Sequence, residues 1–180
     1  IIGDWHGTLL NDVAYSVECI NTLLISSKLP TLSPQDYKGV FQFAVKKNSE
    51  NIGFDFKKEK WELVAMEFMN QYWNRSSELS LYYNTIKLLE RVQILGYQQY
   101  ILSAMEQGKL HKQVSERGML KYFNAVLGTK NHMGGGKITV AKNLIRTLKT
   151  THKKIILVGD TLHDWEISKE FNLHCLLLSH

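Results

Sequence analysis

The chain has 180 residues, 44% of them hydrophobic and 22% charged, with a formal net charge of +5 at pH 7 and two cysteines. That length suits one well-buried core with a small insertion rather than two full domains. No apolar run reaches the roughly 18 residues that span a bilayer as a helix, and the lysines are scattered without interleaved aromatics, which argues against a nucleic-acid partner and for a small one.

The chain opens on Ile1-Ile2-Gly3-Asp4, an apolar run that stops at a glycine and an aspartate. Such a run reads as a buried strand of a parallel sheet. With no secretory leader ahead of it, it predicts a cytoplasmic protein in which Cys19 and Cys175 stay reduced. From Asp12 to about Leu29, Val13, Val17, Ile20, Leu23 and Leu24 recur with the period of an amphipathic helix. Ser33, Pro34 and Asp36 then form a helix start, followed by a stripe of Tyr37, Val40, Phe41, Ala44 and Val45 that breaks between Asn48 and Gly53.

Trp61, Val64, Ala65, Phe68, Met69 and Tyr72 give a third helical face. Ile86, Leu89, Val92 and Leu95 give a fourth, closed by Gly96 where a helix end favours glycine. No strand signal interrupts residues 12–80, which predicts an all-helical insertion. From Tyr97 the pattern alternates: strands at Tyr100-Ile101-Leu102, Ala125-Val126-Leu127, Ile155 to Val158 and Leu173 to Leu178, with helices at Glu106 to Arg117, Ile138 to Leu148 and just after Asp164. Strands alternating with helices predict right-handed βαβ units in an α/β, doubly wound, Rossmann-like parallel sheet of five strands. Its core is residues 1–11 and 81–180.

Ligands of open α/β sheets sit beyond the carboxyl ends of the strands. The residues there are Asp4 and His6 after the first strand, Ser103 after the second, Lys137 at the start of the helix after the third, and Asp160 with Asp164 after the fourth. This is the inventory of metal-assisted phosphoryl transfer: a carboxylate to attack phosphorus, carboxylates to hold Mg²⁺ through oxygen, and a lysine and a hydroxyl to cradle phosphoryl oxygens. Gly134-Gly135-Gly136-Lys137-Ile138 is not a phosphate-binding loop, because no strand leads into it and no Ser or Thr follows the lysine. It reads as a loop that delivers Lys137. His163 and His132 are set aside as ligands, since hard Mg²⁺ prefers oxygen.

These residues resemble the ordered motifs of the haloacid dehalogenase superfamily. Asp4-Trp5-His6-Gly7-Thr8-Leu9 is similar to its first motif, Ile101-Leu102-Ser103 to its second, Lys137 to its third and Gly159-Asp160-Thr161-Leu162-His163-Asp164 to its fourth. The helical stretch at 12–80 is similar to the cap of the phosphoglycolate phosphatase-like branch, which closes over the site and selects substrate. The resemblance implies a Mg²⁺-dependent phosphatase acting on a small phosphorylated metabolite. Asp4 would be nucleophile and metal ligand, Asp160 and Asp164 further metal ligands, and Ser103 and Lys137 the phosphoryl-binding pair. His6 stands where the family's phosphatases carry a second aspartate, which acts as acid and base and gives its backbone carbonyl to the metal. An imidazole, titrating near 6.5 when unperturbed, suits the same proton transfers. If it does not perform them, the alternatives are a catalytically degenerate phosphate-ligand binding protein, or a phosphonate hydrolase or phosphomutase of the same superfamily.

Overall fold

The computed structural model describes residues 1–40, 54, 61–130 and 136–179. The stripe expected at Phe41, Ala44 and Val45, the break at Asn48 to Gly53, and His132 to Gly135 lie outside the described residues. The chain divides into two compact units, one formed by Ile1–Asn11 with Ser80–His180 and the other by Asp12–Leu79. No described helix is long and apolar enough to cross a membrane.

The first unit carries a sheet of five parallel strands: β1 (Ile2–Gly3), β2 (Tyr100–Glu106), β3 (Ala125–Thr129), β4 (Ile156–Gly159) and β5 (His174–Leu177). Their order is β3-β2-β1-β4-β5, so the chain builds outward from β1 on one side and then crosses to the other. The reversal places a topological switch point at β1 and β4. Ile2 pairs with Tyr100 on one flank and Leu157 on the other.

Both faces of the sheet are covered. Ile2, Leu102 and Leu157 pack with Ala141, Leu144 and Ile145 of α6 (Lys137–Thr147) and with Ile167 of α7 (Leu162–Glu170). Each large aliphatic side chain so buried contributes roughly 1.5–3 kcal/mol. Ile101 is also fully buried, and strand alternation turns it to the opposite face from Leu102. Helix α5 (Gln107–Glu116), which packs on β2 and β3, buries Leu110 and Val114. Helix α4 (Thr85–Ile94) ends at Leu95, and Gly96 takes the left-handed conformation with φ +79°, the expected use of glycine past a helix end.

In the second unit the described elements are helical: α1 (Val13–Ser26), α2 (Pro34–Val40) and α3 (Trp61–Arg75), with a short 3₁₀ turn at Ser76–Glu78. Ile20, Leu23 and Leu24 of α1 form its apolar core with Phe54, against which Val64 and Phe68 of α3 pack. Ser33 and Asp36 make the reciprocal hydrogen bonds of a capping box at the start of α2, as their spacing implies. A buried polar pair joins the unit's helices, the Tyr72 hydroxyl donating to the Asp12 carboxylate at 2.8 Å.

Two boundaries differ from the sequence reading. Strand β2 runs past Leu102 to Glu106, with its register to β3 shifting between Leu102 and Glu106, so Ser103 lies within the strand rather than after it. Thr129 extends the pairing, its hydroxyl donating to the carbonyls of Ala104 and Met105. Helix α7 starts at Leu162 and therefore contains Asp164 in its first turn.

Candidate active site

Asp4 is the first residue beyond β1, and its N–H extends the sheet by donating to the Val158 carbonyl at 2.8 Å. Asp160 is the first residue beyond β4. The neighbouring strand ends thus bring two carboxylates, far apart in sequence, to the switch point. A third arrives on α7, where Thr161 and Asp164 form a capping box: the Asp164 carboxylate accepts from the Thr161 hydroxyl at 2.6 Å, and Asp164 N–H returns a bond to that hydroxyl. The Thr-x-x-Asp spacing carries this box in the sequence itself. Oxygen atoms of Asp4, Asp160 and Asp164 all lie within 4.8 Å of one another.

Two glycines make room for these carboxylates. A Cβ on Gly7, which has φ +64°, would stand 2.1 Å from Asp160 Oδ2, and one on Gly159 would stand 2.3 Å from Asp164 Cγ. The first position also requires a left-handed backbone, which glycine adopts without steric cost. Thr8, the next residue, donates its hydroxyl to Asp160 Oδ1 at 2.9 Å.

Lys137 is the cation of the cluster. It opens α6 after Gly136, is 2% exposed, and places Nζ 2.8 Å from Asp4 Oδ2 and 2.6 Å from Asp164 Oδ1. A lysine in the first turn of a helix opposes the helix dipole, so the carboxylates rather than the helix hold it there. Burial works against its charge, but Asp4 and Asp164 outweigh that and hold its pKa well above the ordinary lysine value. Burial pushes the Asp164 carboxyl up, yet Lys137 and the Thr161 bonds bring it below the usual range. For Asp4 burial prevails, helped by the charge of Asp164, and its carboxyl is raised.

Among the described residues no lysine forms an ion pair with Asp160. Burial, and then the charge of Asp4, push its carboxyl from 3.8 up to about 7. Three carboxylates with one ammonium leave an excess of negative charge in a mostly buried place, and the donor set is entirely hard oxygen. Both features fit Mg²⁺. They also set the direction of a pH effect. Between 3.8 and about 7 the folded chain holds a proton on Asp160 that the unfolded chain has lost, so without metal the stability falls as pH rises through this window. Melting curves in EDTA should show this fall. Added Mg²⁺ should raise Tm most above about pH 7, and an equal effect at about pH 5 would contradict the assignment.

Of the residues singled out in the sequence, Asp4, Lys137, Asp160 and Asp164 come together. Ser103 is buried in β2, where its hydroxyl oxygen accepts from Met105 N–H at 3.3 Å. His6 is half-buried on the turn after Asp4 and forms an isolated bridge with Leu10. Its side chain is not among the clustered carboxylates. His163 lies beside Glu166 at 3.4 Å. Cys19 and Cys175 are free thiols.

The family model for haloacid dehalogenase-like hydrolases matches residues 1–178. The chain belongs to this family. No curated protein matches the sequence. Among solved structures, it is similar to a haloacid dehalogenase-like family hydrolase from Streptococcus pneumoniae, with TM-score 0.82, 17% identity, and coverage of 99% of this chain and 83% of that one. It is also similar to a predicted phosphoglycolate phosphatase from Haemophilus somnus 129pt, with TM-score 0.74, 20% identity, and coverage of 99% and 84%. A third is CbbY from Rhodobacter sphaeroides in complex with phosphate, with TM-score 0.73, 12% identity, and coverage of 99% and 85%. At these identities the likeness is one of fold. The haloacid dehalogenase-like hydrolase family is thus established by sequence, and its five-stranded parallel sheet by structure.

Trp5 and Gln113 escaped the sequence reading. The Trp5 indole N–H donates to Gln113 Oε1 at 2.7 Å inside the core. A polar residue on the otherwise apolar Leu110, Gln113, Val114 face of α5 was the signal available.

Proposed function

We propose that this chain is a Mg²⁺-dependent phosphatase that hydrolyses a small phosphomonoester through an aspartyl-phosphate on Asp4. The observation that carries the reading is the Asp4 carboxylate itself. It is fixed at the end of the central strand by Trp5 N–H at 2.7 Å and Lys137 at 2.8 Å, with Asp160 and Asp164 alongside.

In the first step an Asp4 oxygen bonds to phosphorus as the ester P–O bond breaks, and His6 gives a proton to the departing alkoxide. In the second, water bonds to phosphorus as the bond from phosphorus to the Asp4 oxygen breaks, and His6 takes the water's proton, which restores the Asp4 carboxylate and the protonated His6 and releases inorganic phosphate. Asp4, Asp160, Asp164 and the His6 carbonyl would hold Mg²⁺, which when bound supplies charge neutralisation for the phosphoryl oxygens. Lys137 has three N–H donors. Two meet Asp4 and Asp164, and the third is available to a phosphoryl oxygen together with the Ser103 hydroxyl. The substrate class is a small phosphorylated metabolite, as the phosphatase names of the neighbours also suggest, and not nucleic acid.

The test is a phosphomonoester panel with Mg²⁺, run on the wild type and His6→Asp across pH. Turnover by the wild type is the expected result. If His6 is the acid and base, His6→Asp moves the pH optimum downward, because a carboxylate titrates roughly two units below an imidazole. An unmoved profile makes His6 a bystander. Absence of turnover across the panel, with phosphate binding retained, would replace the phosphatase by the degenerate binding protein.

A further inference from the structure

Gln113 is 1% exposed, and its amide nitrogen has no hydrogen-bond partner among the described residues. A stranded buried donor costs stability that an apolar side chain would not. Its bond to Trp5 is equally replaceable as packing, since a phenylalanine facing a leucine would fill the same core with no polar atom to satisfy. What the polar pair adds over that apolar one is direction, because a hydrogen bond fixes an orientation that apolar contact leaves loose.

The direction matters because of what else Trp5 holds. Its N–H donates to Asp4 Oδ1 at 2.7 Å, and its carbonyl accepts from Leu9 N–H at 3.0 Å and Leu10 N–H at 2.9 Å. Its indole, 0% exposed, donates to Gln113. Every polar group of this residue is therefore engaged. Through it, α5 is linked to one oxygen of the Asp4 carboxylate, while Lys137 holds the other. Gln113 is itself steadied by Arg117, whose guanidinium donates to its backbone carbonyl at 3.0 Å.

We infer that Gln113 is a positioning residue for the reaction at Asp4: through the Trp5 indole it sets the peptide N–H that orients the attacking carboxylate. The inference rests on the phosphatase reading above. It assigns a role in catalysis to a side chain on a helix that carries none of the family-like motifs.

The test compares the wild type, Gln113→Leu, Trp5→Phe and the double variant with p-nitrophenyl phosphate in excess Mg²⁺, measuring kcat and KM separately on protein shown to be folded by circular dichroism. Misplacing an attacking group lowers kcat, so each single variant should lose about tenfold in kcat and leave KM within about twofold. The double variant should be no slower than the slower single one, because both substitutions remove the same bond. A purely structural role would lower Tm and leave kcat per folded molecule unchanged, which overturns the inference, as does a double variant whose loss is the product of the two. If Gln113→Leu does not fold, Trp5→Phe removes the bond from the other side and decides the matter. A wild type without turnover on p-nitrophenyl phosphate or any member of the phosphomonoester panel refutes the phosphatase reading and the positioning role together, whereas wild-type turnover with unmoved variants refutes the positioning role alone.

Discussion

Replacing Asp4 by asparagine should lower kcat for the proposed phosphomonoester hydrolysis by about 10⁴-fold or more, the scale on which removal of a covalent nucleophile acts. The amide keeps the shape of the carboxylate but does not supply the anionic oxygen that bonds to phosphorus. The fold survives the change for reasons visible in the site. One of the side chain's two donors, Trp5 N–H or Lys137, meets the amide NH₂ in place of an acceptor, but Lys137 keeps Asp164 at 2.6 Å and one negative charge leaves a cluster that has too many. Melting in EDTA should therefore show Asp4→Asn close to the wild type, and steady-state assays should show it inactive. Turnover that persists in a purified Asp4→Asn protein would end the aspartyl-phosphate reading.

Lys137→Met should be the most damaging substitution for stability. The ammonium is 2% exposed and touches two carboxylates, and deleting one partner from such a buried arrangement costs about 3–5 kcal/mol because the remaining charges are left uncompensated. For a chain of this length that is a loss of roughly 10 °C in Tm. Mg²⁺ should recover part of it by replacing the missing positive charge, so the gap from wild type narrows on adding metal, while activity stays lost for want of the lysine's contact with phosphoryl oxygens. Lys137→Arg should not rescue, since a planar fork does not fit the space of a compact ammonium at this degree of burial. Melting curves of the three proteins with EDTA and with Mg²⁺ check this. A Lys137→Met protein as stable as wild type in EDTA would mean that the carboxylates do not carry the charge assigned to them.

The parts of the site legible in the sequence were those where a backbone rule and a chemical rule coincide. A buried strand that ends in glycine and aspartate gives its direction, its end and its functional group at once, as at Asp4 and Asp160. Lys137 was legible as the opening residue of a helix, but composition gave no reason to bury it, and only the two carboxylates explain how a cation comes to be 2% exposed. Asp164 has both of the uses its position allows, since one of its oxygens caps α7 and the other meets Lys137.

What the sequence obscured follows from long-range pairing. The continuation of β2 through Ser103 to Glu106 depends on the side chains of β3 and α5. The Thr129 hydroxyl bonds the Ala104 and Met105 carbonyls, and Gln107 reaches Gly128 N–H at 2.6 Å and the Val126 carbonyl at 3.0 Å. These are contacts between segments some twenty residues apart, and local periodicity does not register them. Gly128 belongs to the same arrangement, because a Cβ there would stand 2.6 Å from the Met105 carbonyl oxygen. The Trp5–Gln113 bond is hidden for the same reason, since neither residue marks the other along the chain.

The pairing of β1 with Tyr100 and Leu157 also bears on how the protein comes into being. Strand β1 pairs only with segments far along the chain, at Tyr100 and Leu157, so it waits for partners made much later, and closing such wide loops is slow. A growing chain that has not yet reached Lys137 and Leu157 holds Asp4 as an ordinary exposed aspartate, without its neighbours and without reactivity. The chemistry is withheld until the segment from Lys137 to Asp164 has been made, so a product terminated before that segment would lack the cluster around Asp4.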